Sequence, residues 1–544
     1  MYKKDASRGV IMHFFEFFPL NALRQPKYLF PSITYIKRFD MKRTLAMVLA
    51  LLMLAATAMT SCSESTENAE TTGSDTSNTP TATEETVVEE EETRATANVP
   101  DSDFEGYTFT IHCSSNSEYS IIQNDFAAEE LTGEAINDAK FNRLVAVGDK
   151  LNVNIVTQEA ASSGSDAGYN EISRDVTAGT ASYDLATACG YATSKLSMNN
   201  YLVDITTVPY IDLGAEWWDQ VANEDLKILG QLFYTTGDIT VSDNDATYCI
   251  MFNKNLITDY GMENPYQMVE NGTWTVDKFM EMASAVSLDL NGDGIFDTND
   301  RYGALIWDDT MMGVVNCSGE KCATVNEEGL IELTLNSEKT LTILDKFLTF
   351  AQNKEVAYAY QRANWDDSLL VTMFSGDQSL FLTQLIQLVP KMREMDSDFG
   401  ILPYFKYEET QEDYYTTIGS WHSVFVCVPN GQTNVERTGI ITEVLASESY
   451  ELTEAYYDKT LKGKTTRDEE SSAMLDIIFA NRVYDLGWYF QFGGYNEGVM
   501  NQFRQYQNNF ASAYKTSEKA AHKVIQKTND AFVESKAAAE AANP

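Results

Sequence analysis

The chain has 544 residues, 44 % of them hydrophobic, and its 81 acidic against 39 basic side chains give a formal net charge of −42. A surface of that sign repels nucleic acid and anionic lipid headgroups, and it gives no electrostatic reason to expect a polyanionic ligand. Only four histidines are present, none at ligand spacing, so no zinc site is expected.

Residues 1–40 carry scattered aromatics (Phe14, Phe15, Phe17, Phe18) without a period. They read as an over-extended start, with Met41 as the true initiator. From Met41 to Cys62 the sequence is MKRTLAMVLALLMLAATAMTSC. Lys42 and Arg43 precede an apolar run, Thr44–Met59, which gives way to Thr60-Ser61 before Cys62. That is the layout of a secretory signal over 41–61, and the run is short for a membrane span of roughly 20 apolar residues. The cysteine after Thr-Ser resembles a bacterial lipobox, with Met59 where leucine is usual, and predicts cleavage before Cys62 and acylation of that residue. Cleavage after Ala58, at Ala56-Thr57-Ala58, and an uncleaved anchor are the alternatives. Each places the rest of the chain outside the cytoplasm. Residues 1–61 hold 9 of the 39 basic and 3 of the 81 acidic residues, so the remainder keeps 30 against 78, a net of −48.

Residues 62–100 form an acidic tether. Ser63–Pro100 is dominated by Thr, Ser, Glu and Ala, includes the run Glu89–Glu92, and has no aromatic residue. Such a composition buries no core and is expected to be disordered, reaching on the order of 30–40 Å from the membrane.

The remaining 440 or so residues are too many for one simple core, and two to three domains are expected. Tyr107–Cys113 reads as a strand, Gly133–Asp149 as an amphipathic helix, Asn152–Gln158 as a strand, Tyr169–Ala178 as a helix and Tyr183–Ala188 as a strand. Strands separated by helices predict an α/β fold with a parallel sheet, whose ligands lie beyond the carboxyl ends of the strands. The segment after the third strand, Cys189–Lys195, is therefore the first place to look for binding residues, and Tyr191 and Ser194 are the candidates there.

Asp289, Asn291, Asp293, Ile295, Asp297 and Asp300 match a calcium loop by position. Oxygen side chains fall at loop positions 1, 3, 5 and 9, Gly294 sits at the tight turn, Ile295 offers its carbonyl, and Asp300 closes position 12. Aspartate rather than glutamate at position 12 shortens the closing reach. The ending resembles a dockerin loop, but a dockerin carries two loops in a small module. A structural Ca²⁺ is the expected cofactor, against a plain Asp/Asn/Gly turn. Cys113, Cys189, Cys249 and Cys427 sit singly in apolar contexts and read as buried small hydrophobes. Cys317 and Cys322 are close enough for a disulfide, and the sequence leaves their redox state open.

Several stretches resemble the extracellular solute-binding lipoproteins (family 1) of carbohydrate ABC importers, especially those of Clostridia-like Gram-positive bacteria. They are Leu131–Asn154, Glu216–Asp219 (EWWD), Ile250–Leu256, Asn271–Phe279 (NGTWTVDKF), Phe374–Phe381 (FSGDQSLF), Phe399–Pro403, Tyr456–Asp468 and Arg482–Gly487. Their order and spacing together carry the likeness, over about residues 101–500. The resemblance implies two hinge-linked α/β lobes of the periplasmic-binding-protein type II, with the ligand in the cleft between them. It implies chain crossings near Tyr248–Asn253, after the helix holding Met373-Phe374, and near Val428–Gln432. Lobe one would be 101–248 plus 380–430, and lobe two 249–379 plus 431–544 with the loop 289–300 and the C-terminal helices. The implied partners are a small carbohydrate and the permease subunits, with a lipid anchor at Cys62, no nucleic acid, and a monomeric chain.

Inter-lobe position makes Trp307, Trp421 and Trp488 candidates for stacking on sugar rings, with Asp245 and Thr383 as polar contacts. Trp217, Trp218 and Trp274 read as structural, Trp274 stapling the start of a helix over Thr275–Val286. No catalytic constellation is visible: Gly463-Lys464-Thr465 ends like a P-loop, but Asp458 stands where its first glycine belongs. G-x-S-x-G and H-E-x-x-H are both missing, and acids are too numerous for any pair to argue for glycoside hydrolysis. The function expected is capture of a carbohydrate for an ABC importer. The alternative is a surface-anchored, calcium-stabilised adhesion module or glycan-active enzyme, and a peptide or osmolyte ligand stays open. In the C-terminal helical stretch, Lys515, Lys519, Lys523 and Lys527 recur every fourth residue and define one solvated face.

Overall fold

The computed structural model describes residues 94–542 apart from 115–123, 162–163, 165 and 466–467. The signal segment, Cys62 and the tether up to residue 93 lie outside the described residues.

Nine strands build two sheets: β1 Tyr107–Cys113, β2 Val153–Glu159, β3 Leu185–Cys189, β4 Tyr248–Asn253, β5 Tyr302–Ile306, β6 Ala357–Ala359, β7 Ser379–Leu385, β8 Phe399–Leu402 and β9 Val424–Cys427. The first sheet has the order β9-β3-β1-β2, and the second β8-β4-β7-β5-β6. β1 runs parallel to β2 and β3, and β9 joins β3 antiparallel. The helices Ala135–Leu151 and Tyr169–Ala178 connect β1 to β2 and β2 to β3. Each ends on a left-handed residue, Asn152 (φ 49°) and Gly179 (φ 65°), which turns the last carbonyls onto the chain and stops the helix.

In the second sheet β5 is parallel to both β6 and β7, while β4 pairs antiparallel with β7 and β8. All seven residues of β7 (SLFLTQL) are buried, as befits a central strand covered on both faces. The helix Val276–Val286 begins where Thr275 accepts the Lys278 N–H. It lies so close to β5 that a Cβ at Gly303 would overlap the Ala283 carbonyl. Trp274 is buried beside it and donates its indole N–H to the Pro403 carbonyl at 3.1 Å.

The chain enters the second sheet just before β4, where Thr247 bridges Ile418 and Thr235 bridges Val426. The division of segments differs from the sequence expectation in two places. The stretch 380–430, assigned to lobe one, contributes β7 and β8 to the second sheet, and only its last part returns as β9. A strand apolar on both faces fits between β4 and β5, whereas the first sheet offers it no central position. Within 431–544, assigned to lobe two, the helix Val435–Ser447 packs Ile440, Ile441 and Val444 against Phe109, Ile111 and Val147 of the first lobe. A later helix, Glu469–Ala480, packs beside β8 in the second.

The C-terminal helices Leu486–Tyr489, Tyr495–Arg504 and Phe510–Ala542 bridge both lobes. The last touches the helix Gly190–Met198, the strand Ile331–Leu333 and the helix Glu338–Ala351. Lys515, Lys519, Lys523 and Lys527 are exposed along it. Among the described residues no helix is long and apolar enough to cross a membrane.

Candidate functional site

The carboxyl ends of β3, β5, β6 and β7 open onto one cavity of about 620 Å³. Beyond β3 comes Tyr191. Trp421 and His422 precede the antiparallel β9 and so reach the same edge. Beyond β5 come Trp307, Asp308 and Asp309, beyond β6 comes Tyr360, and β7 supplies Gln384 followed by Gln387. A third wall comes from the helix Tyr495–Arg504, with Glu497, Met500 and Arg504, and from Gln491 in the turn before it.

Backbone fit places these groups. A Cβ at Gly190 would stand 2.9 Å from the Ser420 carbonyl and 3.2 Å from the Tyr489 ring, so only glycine lets the helix start this close. The Trp307 N–H donates to Thr383 Oγ1 at 3.1 Å, and the hydroxyls of Thr310 and Thr383 are 2.7 Å apart. The Trp307 ring meets Tyr248 edge-on (centroids 5.1 Å) and His422 (5.3 Å), and His422 packs on Trp421 (5.0 Å). Trp365, 55 % exposed, stands at the rim on a left-handed turn with Asn364 (φ 56° and 54°).

Carboxyl groups dominate the electrostatics. Asp308 and Glu497 share Arg504, whose Nε is 2.6 Å from Asp308 and whose Nη1 is 2.7 Å from Glu497. Asp367 accepts from Gln384 Nε2 at 3.1 Å. Burial, reinforced by the neighbouring Asp308 charge, raises the Asp309 carboxyl well above the usual range. Burial lowers the His422 imidazole to about 4, so the ring is neutral at pH 7, and its buried Nδ1 has no partner among the described residues. The Tyr191 hydroxyl accepts from Asn496 Nδ2 at 3.2 Å.

A smaller cavity of about 440 Å³ shares Asp367, Gln384 and Gln387 with the first and reaches Asp245, Lys391 and Tyr456. Tyr456 donates to Asp245 at 2.7 Å, and burial pushes that carboxyl up to about 7.

Of the residues singled out in the sequence, Tyr191, Trp307 and Trp421 line the main cavity and Asp245 the adjoining one. Thr383 sits behind Trp307 and holds its backbone. Two candidates point elsewhere. Ser194 is buried, with its hydroxyl 2.8 Å from that of Tyr234. Trp488 is 0 % exposed and donates to Asn316 Oδ1 at 2.9 Å, because Asp485 caps its short helix inside the core. The wall from 491 to 504 was missed. It arrives from the far end of the chain, and its glutamine, glutamate and arginine carry no local pattern. Asp308 and Asp309 follow Trp307 directly in sequence, and that adjacency is the signal that points to them.

In the loop 289–300 the carboxylates turn onto backbone amides. Asp289 accepts from Gly292 (2.7 Å) and Gly294 (2.8 Å), Asp293 from Ile295 (2.7 Å), and Asp300 from Leu290 (3.0 Å) and Asp297 (2.8 Å). Gly292 and Gly294 take positive φ (73° and 78°), and Ile295 points outward, 65 % exposed. These backbone amides hold the Asp289 carboxyl below the usual range. Among the described residues no group of three or more His, Cys, Asp and Glu side chains converges on one point. Cys317 and Cys322 are both buried free thiols.

Comparison with protein-family models and with curated proteins finds no match. Solved structures do match in shape. One is the galacto-N-biose/lacto-N-biose I-binding protein of an ABC transporter from Bifidobacterium longum, in complex with lacto-N-biose (TM-score 0.53, 11 % identity, 78 % of this chain and 99 % of that one). Another is an ABC substrate-binding protein from Listeria monocytogenes in complex with cycloalternan (TM-score 0.51, 14 % identity, 77 % and 99 %). The chain has the two-lobed type II solute-binding fold. At these identities the likeness fixes the architecture and leaves the ligand to the cleft's own chemistry.

Proposed function

We propose that this chain is a non-enzymatic extracytoplasmic receptor that captures a carbohydrate, with room for an oligosaccharide, and delivers it to the permease of an ABC importer. The observation that carries the reading is the makeup of the cleft. Trp307, Trp421, Tyr191 and Tyr360 supply rings for sugar C–H faces, while Asp308, Asp309, Asp367, Gln384 and Gln387 supply partners for hydroxyls. Such a site discriminates because a missing hydroxyl leaves a buried polar group unpaired. Ligand-bound structures with the same architecture, whose ligands are lacto-N-biose and cycloalternan, support a saccharide.

Ligand capture in this reading is lobe closure about the strands near Thr247, Ile418 and Val426, with affinity set by the difference between open and closed states. Cys62 is the proposed acylation site, 62–100 the tether, and the extracytoplasmic membrane face of a Gram-positive, Clostridia-like cell the location. The loop 289–300 is proposed to take a structural Ca²⁺, on its ligand spacing. The working unit is a monomer.

A thermal-shift screen of the mature chain against mono- and oligosaccharides tests the reading. A ligand at about 100 times its dissociation constant adds about 2.7 kcal/mol. A shift with one saccharide class that is recovered intact supports the receptor. Recovery of cleaved sugar would replace it with the enzyme alternative.

A further inference from the structure

The main cavity is richer in acceptors than a neutral sugar requires. Asp308, Asp309, Asp367 and Glu497 line it, and Arg504 is the one guanidinium or ammonium group among its lining residues. That guanidinium is already engaged, its N–H groups directed at Asp308 and Glu497. Asp367 takes the Gln384 amide. Asp309 heads the helix Thr310–Cys317 without capping its backbone N–H groups, and its carboxyl faces the cavity. The buried Nδ1 of neutral His422, donor or acceptor according to the tautomer, is without a partner among the described residues. A cationic group of the cargo seated against Asp309 opposes the burial and the Asp308 charge that raise its carboxyl, and holds it ionised as the cleft closes.

A sugar hydroxyl donates one hydrogen bond and keeps its own acceptor lone pairs. An ammonium donates three, accepts none and brings the opposite charge. The walls favour the same species. Trp307, Trp421 and Tyr360 line the same cavity as Asp309, and aromatic faces attract cations, most strongly where water is excluded.

Resting on the receptor reading above, we infer that the cargo is a saccharide bearing a protonated amine, seated between Asp309 and the Trp307 and Trp421 rings. An N-acetylated sugar of the same size lacks the charge and two of the three donors. It leaves Asp309 less well matched.

The test is isothermal titration of the mature chain with glucosamine, galactosamine and a chitosan trimer, each paired with its N-acetylated form, and with neutral gluco-oligosaccharides. The expected result is that the amine form of whichever sugar binds does so at least about tenfold more tightly than its N-acetylated partner. That preference should shrink as salt screens the pair. Asp309→Asn should remove most of it, while leaving the thermal midpoint within a few degrees. The wild-type comparison stands alone should the variant fail to fold. Equal or tighter binding of N-acetylated or neutral saccharides overturns this inference and leaves the receptor reading intact. Failure of every saccharide, charged or neutral, overturns both.

Discussion

Arg504 fastens the C-terminal helices to the edge of the second sheet through Asp308, with Nε 2.6 Å from a carboxylate oxygen whose side chain is only 3 % exposed. The same guanidinium reaches Glu497 on its own helix at 2.7 Å. One side chain therefore orients the third wall of the cleft and neutralises the deepest of its acids. Arg504→Met should destabilise the fold by about 3 kcal/mol, since it leaves a buried carboxylate unpaired. The double variant with Asp308→Asn should recover much of that loss. Urea denaturation of the two single variants and the double variant checks it, and additive losses would deny the coupling.

The two tryptophans of the cavity should behave differently. Trp307 packs on Tyr248 and His422, so Trp307→Ala should cost both stability and ligand affinity. Trp421 packs on His422 but is less enclosed, and Trp421→Ala should weaken saccharide binding by about 1–3 kcal/mol with a small change in thermal midpoint. Calorimetry of both variants with the cognate sugar separates the two effects.

The loop 289–300 gives a metal-removal prediction. Roughly millimolar calcium should raise the thermal midpoint by several degrees, and chelator should lower it again. Asp293→Ala, an exposed change that gives up the side-chain hydrogen bond from the Ile295 N–H, should abolish the response without unfolding the chain. Indifference of the parent chain to calcium would reduce the loop to a turn.

Local pattern made much of the first lobe legible. Tyr107–Cys113 and Tyr169–Ala178 are where the sequence put them, because strands and helices there alternate with clear apolar periods. The sheet to which β7 belongs was not legible. Its apolar run fits any central strand, and only pairing with β4 and β5 decides its place. The cleft was half visible: Tyr191, Trp307 and Trp421 follow from strand ends and chain crossings. Trp488 looked equivalent by position, and its turn into the core toward Asn316 depends on a contact 172 residues away in sequence. The acids of the site were hidden by abundance, since 81 acidic residues give no reason to prefer Asp309.

Glu443 predicts a pH dependence of stability. It is fully buried and accepts the Trp218 indole N–H at 3.0 Å, and burial pushes its carboxyl from 4.5 up to about 7. The folded state thus holds a proton that the unfolded state releases. This contribution is full below about pH 4.5 and is lost as pH rises toward 7. Glu443→Gln keeps the acceptor and removes the charge. It should flatten that part of the profile and be more stable than the parent above pH 7, by about 2 kcal/mol. Denaturation curves from pH 4.5 to 8 decide it, and parallel profiles for parent and variant would contradict it.

The most direct measurement of the central claim is small-angle scattering of the mature chain, titrated with the saccharide that gives the largest thermal shift and followed by chromatography of the sugar. A carbohydrate receptor should lose radius of gyration on saturation as its lobes close, and return the sugar unchanged. An unchanged radius at saturation, or hydrolysed sugar in the eluate, would contradict it.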